Sequence, residues 1–296
     1  MKNMLKKLSV WSYYILPGFL NDLAHNWAAE NLYYRKYKKN KSLLKANVRF
    51  KELYKNQRCF IVGNGPSINK QDLTPLKNEI VFSVSQGYKH RDFKTIKPKY
   101  HLSPQITYGL LNEDDVISYF KEMDDNIGDA ELFLNQTEAE LVKNNNLFAG
   151  RKVNYVYLGI GMKPSYIKTL KNGIPDITNI IPGVSSVPVM CLMVALYMGF
   201  KEIYILGVEH SDFRTKEYKY AFAPNETIRN KHFGLSKDFK TDVSNYDTFH
   251  IMAFLWEEYR RIRKIAEKNS VRIVNLSLDS ELDEFECMKF EDVFKI

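Results

Sequence analysis

Short apolar runs alternate with longer stretches of three- and four-residue periodicity along most of the 296-residue chain. Residues 59–62 form one such run, and it stops at Gly63, which predicts a buried strand followed by a tight turn. Residues 80–84, 100–102, 131–134, 153–158, 202–206 and 272–276 predict further strands. A hydrophobic helix is predicted over 187–198 and a long one over 247–267, the latter with Ile251, Leu255, Ile262 and Ala266 as its core-facing stripe. Strands alternating with helices imply a mainly parallel sheet with helices on both faces, an α/β, Rossmann-like fold. In such sheets ligands bind beyond the carboxyl ends of the strands, where strand order reverses. Four strand ends therefore hold the candidate site: residues 63–67, 85–86, 103–105 and 207–212. The stretch 211–245 is too long for a simple loop and reads as a small lid.

Upstream of the first strand the pattern changes. Met4, Leu8, Trp11 and Ile15 share one helical face, Lys2, Lys6 and Lys7 lie between them, and Arg35, Lys36, Lys38, Lys39 and Lys41 follow as a basic cluster. Residues 1–57 are thus expected to be a basic amphipathic helical appendage on a catalytic domain of residues 58–296. Residues 1–45 suit an anionic membrane surface, and the same stripe equally suits packing on the body or on a second subunit of an oligomer. Residues 1–58 hold 13 Lys+Arg against 3 Asp+Glu, whereas the other 238 hold 30 against 32. A body so close to neutral argues against general nucleic-acid binding. No apolar run reaches the length that crosses a bilayer. Cys59, Cys191 and Cys287 are odd in number and far apart, which fits a reducing, cytoplasmic compartment, peripheral on the inner membrane face if the appendage binds lipid. No cluster has zinc spacing, so no metal site is expected.

The densest chemistry lies at Gly63, Asn64, Gly65, Pro66 and Ser67. The glycines permit close backbone approach, Asn64 and Ser67 add polar side chains, and a following helix would offer free N–H groups to a phosphate. A dinucleotide fingerprint would need a third glycine where Ile68 stands and an acid where Ser85 ends the second strand. A P-loop motif is absent. A nucleotide-sugar or nucleotide-phosphate site remains.

The GNGPS segment at 63–67 and the block GFKEIYILGVEHSDF at 199–213 resemble bacterial lipo-oligosaccharide sialyltransferases. They are also similar to the broader group of flagellin motility accessory factors and archaeal hydroxymethylpterin diphosphokinases, as is KPKYHLSP at 97–104. The likeness runs over about 58–294 and leaves 1–57 uncovered. It implies a metal-independent, inverting transfer of a nonulosonic acid from a CMP-activated donor to a surface polysaccharide or lipid-linked glycan, with the CMP-sugar as substrate and no separate cofactor. Asn64 and Ser67 inherit nucleotide contacts from it. Ser85–Gln86, Ser103–Pro104 and Gly207-Val208-Glu209 stand where those enzymes carry Asn-Gln, Asn-Pro and Gly-Ile-Asp, so Ser85, Gln86, Ser103 and Glu209 join the nucleotide-binding candidates with altered reach.

Such a transfer needs a stabilised leaving phosphate and a base for the acceptor hydroxyl. His250, in the first turn of the long helix, ranks first as the base, because the resemblance places a histidine just before that helix. His232 in the lid and His210, beside Glu209 at a strand end, follow. His101 reads as structural or pocket-lining, and His90 as solvated in a surface turn. Lid residues Tyr218, Tyr220, Phe222, Lys216 and Lys219 could close over a carboxylated sugar and its phosphate. The rival reading is a pterin-type diphosphokinase using ATP and magnesium, for which Glu209 and Asp212 are the available carboxylates.

Overall fold

The computed structural model describes residue 31 and residues 34–106, 111–160, 162–215, 219–228 and 243–295. Nine strands form one all-parallel sheet: β1 Arg58–Val62, β2 Val81–Val84, β3 Tyr100–Leu102, β4 Glu131–Asn135, β5 Val153–Gly159, β6 Ile180–Pro182, β7 Glu202–Leu206, β8 Arg272–Asn275 and β9 Glu286–Cys287. Their order is β6-β5-β4-β3-β2-β1-β7-β8-β9. The chain steps outward from β1 to β6, crosses back, and continues from β7 on the other side of β1. The reversal therefore lies between β1 and β7, where Rossmann-like sheets bind ligands. The expected α/β fold is the one observed. β6 and β9 were not predicted: β6 is three residues ending in a proline, and β9 is two exposed residues with no apolar run.

Four helices matter for the site: α1 over residues 34–45, α2 Glu113–Asn126, α3 Val187–Met198 and α4 Asn245–Lys268. Of the 12 residues of α3, all but Val187 are buried, which explains why its sequence is apolar on every side. It makes the return crossover beneath β1, β2, β3 and β7, in a core shared with α4. Leu255, Tyr259, Ile262 and Ala266 are the buried face of α4. Ile251, expected in that stripe, is instead 50% exposed, because the first turns of α4 project past the sheet edge to the cavity described below.

The described part of the expected appendage is packed on the body. Tyr37, Leu44, Phe50 and Tyr54 are buried in the cores. The Asn47 side-chain amide donates to the carbonyls of Tyr155 and Ile177 at 2.7 and 2.9 Å, and Tyr54 Oη pairs with Tyr100 Oη at 2.7 Å. The amphipathic stripe from Met4 to Ile15 lies outside the described residues.

Candidate functional site

At the reversal the two strand-end loops interlock. Gly63 N–H donates to Leu206 O at 2.8 Å and Gly65 N–H to Gly207 O at 2.9 Å. A Cβ at Gly63 would stand 2.4 Å from Gly207 O, and one at Gly65 would stand 1.4 Å from Glu209 Oε2. Both glycines are thus needed for close approach across the crevice. Ser67 N–H donates to Glu209 Oε1 at 2.9 Å. Burial raises the Glu209 pKa, partly offset by the hydrogen bonding from Ser67.

This arrangement corrects the expected phosphate cradle. The segment after the loop is a five-residue 3-10 turn, Pro66–Lys70, and no long helix follows. The N–H groups of Gly63, Gly65 and Ser67 are all taken within the protein, the last by a carboxylate that holds the place an anion would fill. The groups at the loop are instead acceptors: the Glu209 carboxylate that reaches it from beyond β7, and the buried Asn64 Oδ1, which has no partner while its amide donates to Val84 O at 3.3 Å.

A cavity of about 390 Å³ opens beside the loop. Of the anticipated site residues, Asn64, Gly65, Ser85, Gln86, Glu209 and His210 line it. Gly63 and Ser67 act behind it through the contacts above, and Pro66 starts the 3-10 turn. Ser103 is buried one position before the lining Pro104. Ser85 and His210 hold φ of 48° and 50°, left-handed values that cost a non-glycine residue about 1–3 kcal/mol where they are imposed. His101 imposes the first. Its Nε2 donates to Ser85 O at 2.9 Å and its Nδ1 accepts from Ser83 Oγ at 2.8 Å. Burial pushes its pKa down to about 3, so the ring is neutral and its role is to hold β2. His90, expected in solvent, is also buried, with Nε2 3.2 Å from Asn69 Oδ1 and Nδ1 accepting from Asp92 N–H at 3.2 Å.

Glu209 and His210, adjacent in sequence, do not pair. His210 Nε2 lies 2.8 Å from Tyr259 Oη on α4, and burial lowers its pKa to about 4. Next to it Asp212 also lines the cavity. Burial, reinforced by the charge of Glu209, pushes its carboxyl up to about 6. His250 does not line the cavity: its ring is exposed on α4, 6.0 Å from the Tyr246 ring and 4.7 Å from that of Phe254. His232, Lys216 and Tyr218 lie outside the described residues.

The far wall comes from residues 184–188, which sequence reasoning missed. Ser186 is the N-cap of α3 and makes no side-chain capping bond, and Pro188 follows in the first turn. Glu258 of α4 fixes this loop, its carboxylate accepting from Ser185 N–H at 2.9 Å and Ser185 Oγ at 2.8 Å. A Ser-Ser-x-Pro run opening a hydrophobic helix was a readable N-terminus signal. The long helix that opens onto the cavity is therefore α3.

Residues 219–228 cover the mouth. Ala221 N–H donates to Asn64 O at 2.9 Å, Asn69 Nδ2 to Ala221 O at 2.6 Å, Asn225 N–H to Gln86 Oε1 at 2.5 Å and Asn225 Nδ2 to Glu122 Oε2 at 2.6 Å. Tyr220 and Phe222, in this stretch, line the cavity. Among the described residues no group of three His, Cys, Asp or Glu side chains is placed to hold a metal ion.

With this geometry in view, residues 31–215 match the model of the 6-hydroxymethylpterin diphosphokinase MptE-like family. The chain belongs to the MptE-like family. The match begins upstream of residue 58 and takes in α1 and the packed segment after it. No curated protein matches this MptE-like chain by sequence. Among solved structures it is similar to the MAf glycosyltransferase from Magnetospirillum magneticum AMB-1, at 16% identity and a TM-score of 0.44, over 83% of this chain and 38% of that one. It is also similar to the sialyltransferase CST-II, solved in complex with a trisaccharide acceptor and CMP, at 16% identity and a TM-score of 0.41, over 78% and 86%. The chain thus spans little more than a third of the MAf protein's length.

Proposed function

We propose that this chain is an inverting glycosyltransferase that moves a nonulosonic acid from a CMP-activated donor to a glycan acceptor. The observation that carries the reading is the division of labour in the cavity. The glycine loop offers acceptors and has its N–H groups occupied, which suits nucleoside hydroxyls and amines. The uncapped N-terminus of α3 suits one phosphate. In the reaction the acceptor hydroxyl oxygen attacks the anomeric carbon, the bond from that carbon to the CMP phosphate oxygen breaks with its electrons, and the hydroxyl proton passes to a base. Asp212 is that base, since a carboxyl titrating at about 6 is ionised near neutrality and still basic enough to help. His210, neutral at that pH, is held by Tyr259 to hydrogen-bond the acceptor or the sugar. The departing phosphate is stabilised by the α3 dipole. No separate cofactor is invoked.

The family's description supports a second reading, a diphosphokinase acting on ATP with magnesium. Glu209 and Asp212 would then hold the metal. Against it, a triphosphate needs a cradle of free N–H groups, and those of Gly63, Gly65 and Ser67 are spent. Thermal unfolding with CMP, CDP, UDP, GDP and ATP, each with and without magnesium, separates the two. A ligand at 100 times its Kd stabilises by about 2.7 kcal/mol. Stabilisation by CMP without magnesium is expected. Stabilisation by ATP alone, and only with magnesium, would overturn the glycosyltransferase reading.

A further inference from the structure

The positive charge of the chain is concentrated on one packed stretch. Residues 35–57 contain nine Lys and Arg and a single acid, Glu52, a formal charge of +8. The whole chain is also +8, so everything else sums to zero. All nine basic residues are exposed, although the backbone carrying them is anchored by Tyr37, Leu44, Asn47, Phe50 and Tyr54. Lys39 pairs with Glu140 and Arg49 with Glu131. Lys45, Lys51 and Lys55 have no acidic partner among the described residues. The basic side chains are therefore presented by a fixed surface.

Aliphatic side chains project from the same stretch. Val48 is 64%, Leu53 48% and Leu43 37% exposed, while its aromatic residues from Tyr37 to Tyr54 are buried. A protein that binds single-stranded nucleic acid needs exposed rings on which bases stack, and this face has none. Exposed aliphatic groups among lysines instead match the boundary between anionic headgroups and acyl chains. Arg49, paired with Glu131 at the start of β4, and Tyr54, which stacks on Phe200 just before β7, place the second half of this stretch along the amino edge of the sheet. Tyr37 and Lys39, in its first half, reach Gln136 and Glu140 past the carboxyl end of β4.

We propose that residues 35–55 form a docking surface for an anionic lipid bilayer, in which Val48, Leu53 and Leu43 enter the headgroup boundary and the surrounding lysines meet acidic lipids. The surface belongs to the folded body and does not depend on the stripe from Met4 to Ile15. The inference is independent of the reaction proposed above.

The test is co-sedimentation of the full chain with vesicles of phosphatidylcholine alone or mixed with phosphatidylserine. Binding to the mixed vesicles that falls with salt is expected. The Lys45→Ala/Lys51→Ala/Lys55→Ala variant should bind about a hundredfold more weakly, at about fivefold per charge. Val48→Ser/Leu53→Ser should weaken binding even at low salt. A control triple at the exposed Lys121, Lys171 and Lys268 should leave it unchanged. Circular dichroism checks that each variant is folded. Failure of the unmodified chain to bind, full binding by the first triple, or an equal loss in the control triple overturns the proposal. So does tighter binding to polyuridylate than to vesicles, lost in the same variant, which would make the surface a nucleic-acid site.

Discussion

Two strand-to-helix junctions face each other across the crevice, and they differ in what they offer a ligand. The first, residues 63–67 after β1, holds the conspicuous glycine motif, yet it leads into a five-residue 3-10 turn and its Ser67 N–H is bound by Glu209. The second, residues 183–186 after β6, has one glycine and no recognised motif, yet it opens a 12-residue buried helix without a side-chain cap. Anion binding at a helix end depends on aligned peptide dipoles and unsatisfied N–H groups. The second junction has the dipoles of a long helix, with Ser185 N–H already held by Glu258, and the first has neither. Glycine marks where backbones approach closely. Whether a phosphate can sit there is decided by what already occupies the donors.

That contrast can be broken or sharpened experimentally. The largest effect is expected from Asp212, which shares the cavity with both junctions. Asp212→Asn should lower kcat/KM by about 10²–10⁴-fold with CMP-sugar donors. In the unmodified protein kcat/KM should rise with pH through about 6 and then level. The raised pKa means that the folded state holds this proton more tightly than the unfolded chain. Its contribution to stability is therefore present at low pH and lost as pH rises through about 6. A rate profile unchanged by the substitution would remove Asp212 from the chemistry.

Next comes Gly65→Ala, which sets a Cβ against Glu209 Oε2 and must displace the carboxylate from Ser67. Stability should fall by about 1–3 kcal/mol, read as a lower urea midpoint. An unshifted midpoint would mean that the carboxylate is not held there. Ser186→Asp would add a carboxylate at the N-cap of α3 itself, next to the Ser185 that Glu258 holds. Folding should gain about 0.3–1 kcal/mol from the helix dipole, while CMP affinity drops roughly tenfold by competition for the same N–H groups. Undiminished CMP affinity would place the phosphate elsewhere. The smallest effect is expected from His250→Ala, within about 0.5 kcal/mol in stability and with turnover intact, because its exposed ring contacts only Tyr246 and Phe254 among the rings described. A collapse of turnover in that variant would restore His250 as the base.

The sequence by itself determined the local elements. The runs before Gly63 and Gly207 read as strands because buried parallel strands are continuously apolar, and the resulting α/β alternation placed the ligand site at their carboxyl ends. Seven of the nine strands, helices α3 and α4 and the glycine loop were legible in this way. Tertiary structure decided which groups meet. Glu209 lies 142 residues from Ser67, and they touch only because β7 pairs with β1. His101, inside a predicted strand, read as structural or pocket-lining and is buried, whereas His90, beside Lys89 and Arg91, read as solvated and is buried only through distant partners such as Asn69. Tyr259 and Glu258 appear in sequence as ordinary positions on a long helix. Packing against α3 turns one toward His210 and the other toward Ser185. Periodicity is a property of neighbours along the chain, so it reads directly from sequence. Hydrogen-bond satisfaction and desolvation depend on distant segments, and only the folded arrangement supplies them.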